Sequence, residues 1–131
     1  MHSIRLYLIS KSDLRENKID SIIDNSKYSK LEWVELSSGI MAIENIPNIK
    51  DFGLGKKIAL ITTDYFGGSG NQTAKVFLDN KKILDQDDEI DWKLNPINSA
   101  LKLLGVEKKD TMDEFDTVGL GKIRTNNDLR K

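Results

Sequence analysis

The side chains in this sequence that could carry bond-making chemistry are carboxylates, and their grouping limits what that chemistry could be. Asp64 stands beside Tyr65 and Phe66, and a second acidic group, Asp113, Glu114 and Asp116, follows much later in the chain. Two carboxylates whose pKa values are pushed apart can serve as acid and base. One reading is therefore an enzyme that uses Asp64 with Asp113 or Asp116 around a pocket lined by Tyr65 and Phe66. It requires the paired carboxylates to lie roughly 5 to 9 Å apart if the chemistry is glycosidase-like. The other reading gives Asp64 hydrogen bonds from the N–H groups of the glycine-rich turn beside it, and leaves Tyr65 and Phe66 to pack or to present an aromatic contact surface.

Other chemistries find fewer parts. The one histidine, His2, is expected at a mobile terminus, and there is no cysteine. Histidine-based general base catalysis, thiolate nucleophiles, disulfides and transition-metal sites are accordingly not expected, and no cofactor is implied. The acidic run containing Asp85, Asp87, Asp88, Glu89 and Asp91 invites comparison with a calcium loop, which wants clustered carboxylate oxygens. Counting from Asp85, however, Ile90 occupies the sixth position, where such a loop needs glycine, and Pro96 the twelfth, where it needs glutamate. The run reads as a solvated acidic turn, or as a negatively charged docking surface for a basic partner. Gly67, Gly68, Ser69 and Gly70 could offer N–H groups to an anion, but they lack the GxxxxGK[ST] spacing and a following helix. Glycines that permit positive φ in a hairpin loop explain them. Trp33 and Trp92 are expected in the core or half-buried, because no interleaved arginines accompany them as they would on a base-stacking platform.

The elements that must position these residues can be read from periodicity. Ile4, Leu6 and Leu8 alternate with Arg5 and Tyr7 as in a strand. A helix should follow, with Asp13 and Glu16 at capping-box spacing, Ile19, Ile22 and Ile23 as its apolar stripe, and Asn25-Ser26 as its end. Leu31 to Leu36 and Ile40 to Ile43 form an expected hairpin about Ser37-Ser38-Gly39, and 45–56 an irregular connection with Ile46, Ile49 and Phe52 turned inward. At the centre is a hairpin over Lys57 to Leu78: Ile58-Ala59-Leu60-Ile61 is apolar at every position, as in a strand covered on both faces, and the return strand alternates. Lys81 to Leu84 extends the sheet briefly. Asn95-Pro96 opens a helix with Asn95 as N-cap, Ile97, Ala100, Leu101 and Leu104 on one face, and Gly105 as its stop. Met112 to Val118 is a short element anchored by Phe115, and 119–131 is a polar tail free to fray.

These elements add up to an α+β fold, a mostly antiparallel sheet with two main helices packed on it. At 131 residues, 38% hydrophobic and 31% charged, the chain forms a single domain over 1–131. A net charge of -1 argues against a general nucleic-acid binder, which needs a basic face. The apolar stretch Leu6 to Ile9 is too short for a secretory segment and nothing approaches a membrane span, so a cytoplasmic protein is expected, with no membrane partner.

Three stretches taken together carry a resemblance. Thr63-Asp64-Tyr65-Phe66-Gly67-Gly68-Ser69-Gly70-Asn71-Gln72, Asn95-Pro96-Ile97-Asn98-Ser99-Ala100-Leu101-Lys102-Leu103-Leu104-Gly105-Val106, and Asp113-Glu114-Phe115-Asp116-Thr117-Val118-Gly119-Leu120-Gly121-Lys122-Ile123-Arg124 follow in order through the second half of the chain. They resemble a family of small bacterial proteins with a TDYFGGxGxQ hairpin, an INxALxxLG helix and a DEFDxxGLG tail, similar to the immunity proteins of bacterial toxin systems. The resemblance implies a non-enzymatic protein that binds a cognate, basic toxin domain and occludes it. It also implies a shared surface of Asp64, Tyr65, Phe66, Gly67, Gly68, Gly70 and Gln72 with Asp113, Glu114, Phe115 and Asp116. The acidic run Asp85, Asp87, Asp88 and Glu89 is a further expected contact with such a partner.

Overall fold

A computed structural model describes residues 2–15, 33–44, 56–66, 69–79 and 81–130. Six strands, β1 (His2–Ser10), β2 (Val34–Glu35), β3 (Ile40–Glu44), β4 (Lys57–Phe66), β5 (Ser69–Leu78) and β6 (Lys81–Asp87), form one sheet in the order β2-β3-β1-β4-β5-β6. Every neighbouring pair is antiparallel. The two central strands, β1 and β4, are buried in both parities: this is expected for β4 from its continuous apolar run, whereas β1, expected from its alternation to have one solvated face, is covered on both over its second half. Leu6, Leu8, Ala59 and Ile61 face one way and join the main core, while Tyr7, Ile9 and Ile58 are buried on the opposite face. One strand outward, β5 reverts to alternation, with Ala74 and Val76 buried and Lys75 exposed. In the β4–β5 hairpin Phe66 pairs with Ser69, so the strands run through the motif and the reversal is confined to two residues. The hairpin expected over Lys57 to Leu78 is thus present.

Among the described residues three α-helices accompany the sheet: α1 (Lys11–Arg15), α2 (Pro96–Leu103) and α3 (Glu114–Thr117). α1 begins directly after β1, ahead of the expected cap at Asp13. The rest of that expected helix lies outside the described residues, as do Leu31, Glu32 and the connection 45–55. Between β2 and β3 the turn Ser37–Gly39 uses positive φ at Ser38 and Gly39, and Leu36 N–H donates to the Ile40 carbonyl at 2.7 Å. α2 buries Pro96, Ile97, Ala100 and Leu101 against the sheet, and Gly105, at φ +95, ends it in the left-handed region that glycine tolerates best.

The C-terminal stretch does not fray as expected. Leu120, Ile123 and Leu129 are buried, Ser3 N–H donates to the Arg124 carbonyl at 2.6 Å, and Arg5 N–H donates to Asn126 Oδ1 at 2.8 Å. The tail is thereby sewn onto the first half of β1 and shares the main core. Among the described residues no helix is long and apolar enough to cross a membrane.

Candidate functional site

The expected site residues of the hairpin divide between the two sheet faces, because successive side chains in a strand point opposite ways. Tyr65 and Gln72 turn toward the helices and are tied into a network there. Gln72 Nε2 donates to the Tyr65 hydroxyl at 3.3 Å, and that hydroxyl donates to Asp88 Oδ2 at 3.4 Å. Gln72 N–H donates to Asp88 Oδ1 at 2.9 Å, and Asp88 N–H returns a bond to the Gln72 carbonyl at 3.2 Å. The remaining polar atom, Gln72 Oε1, accepts the Ile97 N–H at 3.0 Å. Gln72 thus caps α2 from another strand. Asn95, the expected cap, makes no side-chain capping bond.

Asp64, Phe66 and Asn71 turn to the opposite face. Asp64 is exposed, paired in register with Ser3 and Asn71, in a shallow polar hollow with Arg5, Thr62 and Asn126. Phe66 is 75% exposed at the strand end. Gly70 is demanded by the backbone, since its φ is +154 and a Cβ there would overlap the backbone oxygen of Asp64 on the paired strand. Gly67 and Gly68 lie outside the described residues.

Most of the acids in the following run serve their own turn. Asp87 Oδ1 accepts Asn71 Nδ2 at 3.1 Å and Glu89 N–H at 2.9 Å, and Asp91 Oδ1 accepts Lys93 N–H at 3.0 Å. Asp85 pairs with Lys82 at 2.7 Å, and that hydrogen bond holds its carboxyl below the usual carboxylate range. This bracing presents two large apolar side chains to solvent, Ile90 at 86% and Trp92 at 81% exposed. The expectation that Trp92 packs inside is corrected, whereas Trp33 is buried as expected. Neither Ile90 nor Trp92 was a site candidate from sequence. The signal that could have found them is the row of aspartates two residues before a backbone N–H, which marks a self-capped turn and so an exposed one.

Two of the tail carboxylates, Asp113 and Glu114, are structural. Asp113 Oδ1 caps α3 through Asp116 N–H at 2.9 Å, and its Oδ2 accepts Asn98 Nδ2 at 3.1 Å. Glu114 is buried, with Lys102 Nζ 4.0 Å from its Oε1. Asp116 is exposed beside Gly121. α2 and α3 lie on the face that Asp64 turns away from, so Asp64 is not brought together with Asp113 or Asp116, and the paired-carboxylate arrangement is absent. His2, expected to be mobile, is fixed in β1. Its Nδ1 lies 2.7 Å from Thr63 Oγ1, its Nε2 3.1 Å from the Leu120 carbonyl, and its ring packs against Phe115 with centroids 5.6 Å apart. These contacts tie the His2 ring to β4 and to the C-terminal stretch. No cluster of three metal-ligating side chains occurs among the described residues.

At one end of the sheet β4 finishes, β5 starts and β6 runs into its acidic turn. No family model, curated protein or solved structure matches the chain.

Proposed function

We propose that this chain is a non-enzymatic protein-binding module that docks through the hairpin end of its sheet. In line with its motif resemblance, we take it to be an immunity-type protein that neutralises a cognate bacterial toxin by covering it. The observation that carries the reading is the exposure of Phe66, Ile90 and Trp92 at that end, with the exposed acids Asp64, Glu89 and Asp91 near them. Large apolar side chains on a braced backbone supply contact area at little ordering cost, which is the character of an interface anchor. Carboxylates around them favour a basic partner and speed its approach. Tyr65, Gln72, Asp87 and Asp88 serve the surface by holding its backbone, and Asp113 and Glu114 by holding α3.

Co-expression with the toxin domain encoded beside this chain tests the reading. Cells should be protected, the two proteins should co-purify, and Phe66→Ala combined with Trp92→Ala should weaken the complex about tenfold or more, roughly 1.4 kcal/mol. A wild-type chain that neither protects nor co-purifies overturns it.

A further inference from the structure

The polar hollow beside Asp64 has a direction built into it. It measures about 400 Å³, within the roughly 300 to 1,000 Å³ of small-molecule sites, and it spans the C-terminal stretch, β1, β4 and β5. Asn126 Oδ1 accepts the Arg5 N–H at 2.8 Å, and since a backbone N–H only donates, the amide nitrogen Nδ2 is the group Asn126 has left. Asn71 is fixed the other way round. Its Nδ2 donates to Asp87 Oδ1 at 3.1 Å, and since a carboxylate only accepts, the amide oxygen is the group left over. Asn126 adjoins Arg5 at one side of the hollow, and Asn71 pairs in register with Asp64 at the other. One side thus offers only donors, a guanidinium and an amide nitrogen, and the other only acceptors, a carboxylate and an amide oxygen. Arg5 and Asp64 are both exposed, and neither makes an ion pair among the described residues. Arg5 faces Thr62, with Asp64 two residues farther along the same strand. Diagonal neighbours of this kind stand about 7 to 8 Å apart, close enough for one small molecule to reach both.

We infer that this hollow binds a small zwitterion, a free α-amino acid, with its carboxylate on the donor side and its ammonium on the acceptor side. The carboxylate takes N–H bonds from the Arg5 fork and from Asn126 Nδ2, and the ammonium donates to the Asp64 carboxylate and to Asn71 Oδ1. A ligand with only one of these charges satisfies one side and leaves the other in water. An amino acid carries both on a single carbon, so engaging one side delivers the other group at high effective concentration. The amides are held in advance by the bonds to Arg5 N–H and Asp87, which spares the cost of ordering them on binding. Both charged groups are exposed and therefore screened, so binding is weak, roughly millimolar, and falls as salt is added. The inference is independent of the toxin reading, since its test needs only the purified chain.

Amide chemical-shift titration of the full chain by NMR at low ionic strength reads the result, with glycine, L-serine and L-leucine as probes over roughly 0.5 to 50 mM, the range where millimolar contacts populate. The amides of Ser3, Arg5, Asp64, Asn71 and Asn126 should shift and saturate. Acetate and methylammonium, the two halves of the zwitterion, should bind about tenfold more weakly or worse at matched ionic strength. Arg5→Gln and Asp64→Asn, each at an exposed position, should each weaken amino-acid binding about tenfold or more. Their α2 amides should keep wild-type positions, so that a lost response is a lost ligand contact, and the comparison of probes on the wild-type chain stands without them. No saturable shift with any of the three amino acids overturns the inference. So does acetate or methylammonium binding as tightly as the amino acids, or a variant that keeps wild-type affinity.

Discussion

Gln72 is held at three points that belong to three different elements: the Tyr65 hydroxyl on β4, the Asp88 carboxylate after β6, and the Ile97 N–H in the first turn of α2. The last is the costly one to lose, because a helix's first N–H groups have no partner within the helix. Replacing Gln72 with Ala should therefore destabilise the protein by about 1 to 2 kcal/mol, the upper part of the range for a lost cap. Asn95→Ala, at the position where a cap would normally sit, should stay within about 0.5 kcal/mol, as a surface substitution does. Urea denaturation of the two variants checks both values, and a larger loss for Asn95 than for Gln72 would refute the assignment. The sequence pointed to Asn95 because Asn-Pro before an apolar stripe is a local signature, whereas a cap delivered from a different strand leaves no local trace. Trp92 was missed for a different reason: its residue type argued for burial, against a local pattern of self-capping at Asp87 and Asp91 that puts it in solvent.

Among the elements, β4, β5 and α2 were legible because each writes its environment into its periodicity: both parities apolar in the centre, alternation one strand out, a single stripe on the helix; β1 was legible as a strand, but its alternation at Ile4 to Leu8 hid the burial of Tyr7 and Ile9 on the second face. α3 is different. At four residues it cannot sustain itself and is hung on α2 through Asn98, which accepts the Phe115 N–H at 2.9 Å and donates to Asp113 at 3.1 Å. Asn98→Ala removes both bonds and leaves a part-buried N–H without its acceptor, at a cost of about 1 to 3 kcal/mol. Most of that loss should be local. Amides of 115–118 should exchange with solvent faster by about tenfold or more, while those of β4 should change only as far as global stability does. Equal acceleration in both places would mean that α3 and the sheet unfold as one unit, and that Asn98 is no separate hinge.

At the scale of the whole molecule, an open six-stranded sheet must deal with two edges, each a row of backbone groups able to pair with another chain. One edge, β2, is two residues long and offers little to pair with. The other, β6, is seven residues long and is blunted differently. Val76 pairs with Leu84 but Phe77 with Lys82, so Ile83 is an extra residue that bulges the strand. Lys81 and Lys82 are exposed just before it, where a second strand would have to desolvate them. If these lysines protect the edge, Lys81→Val with Lys82→Val should fold normally, since neither side chain is buried, yet should scatter light progressively at concentrations where the wild type stays clear. Lys75→Val, which places the same apolar side chain at an exposed position of the interior strand β5, is the control. It should remain soluble, because no unpaired backbone lies beside it. Growth from the β6 edge should also persist in a Trp92→Ala background, since strand addition uses backbone groups and not that side chain. Aggregation that Lys75→Val reproduces, or that Trp92→Ala abolishes, would assign the effect to surface hydrophobicity or to the turn and remove the edge from the explanation.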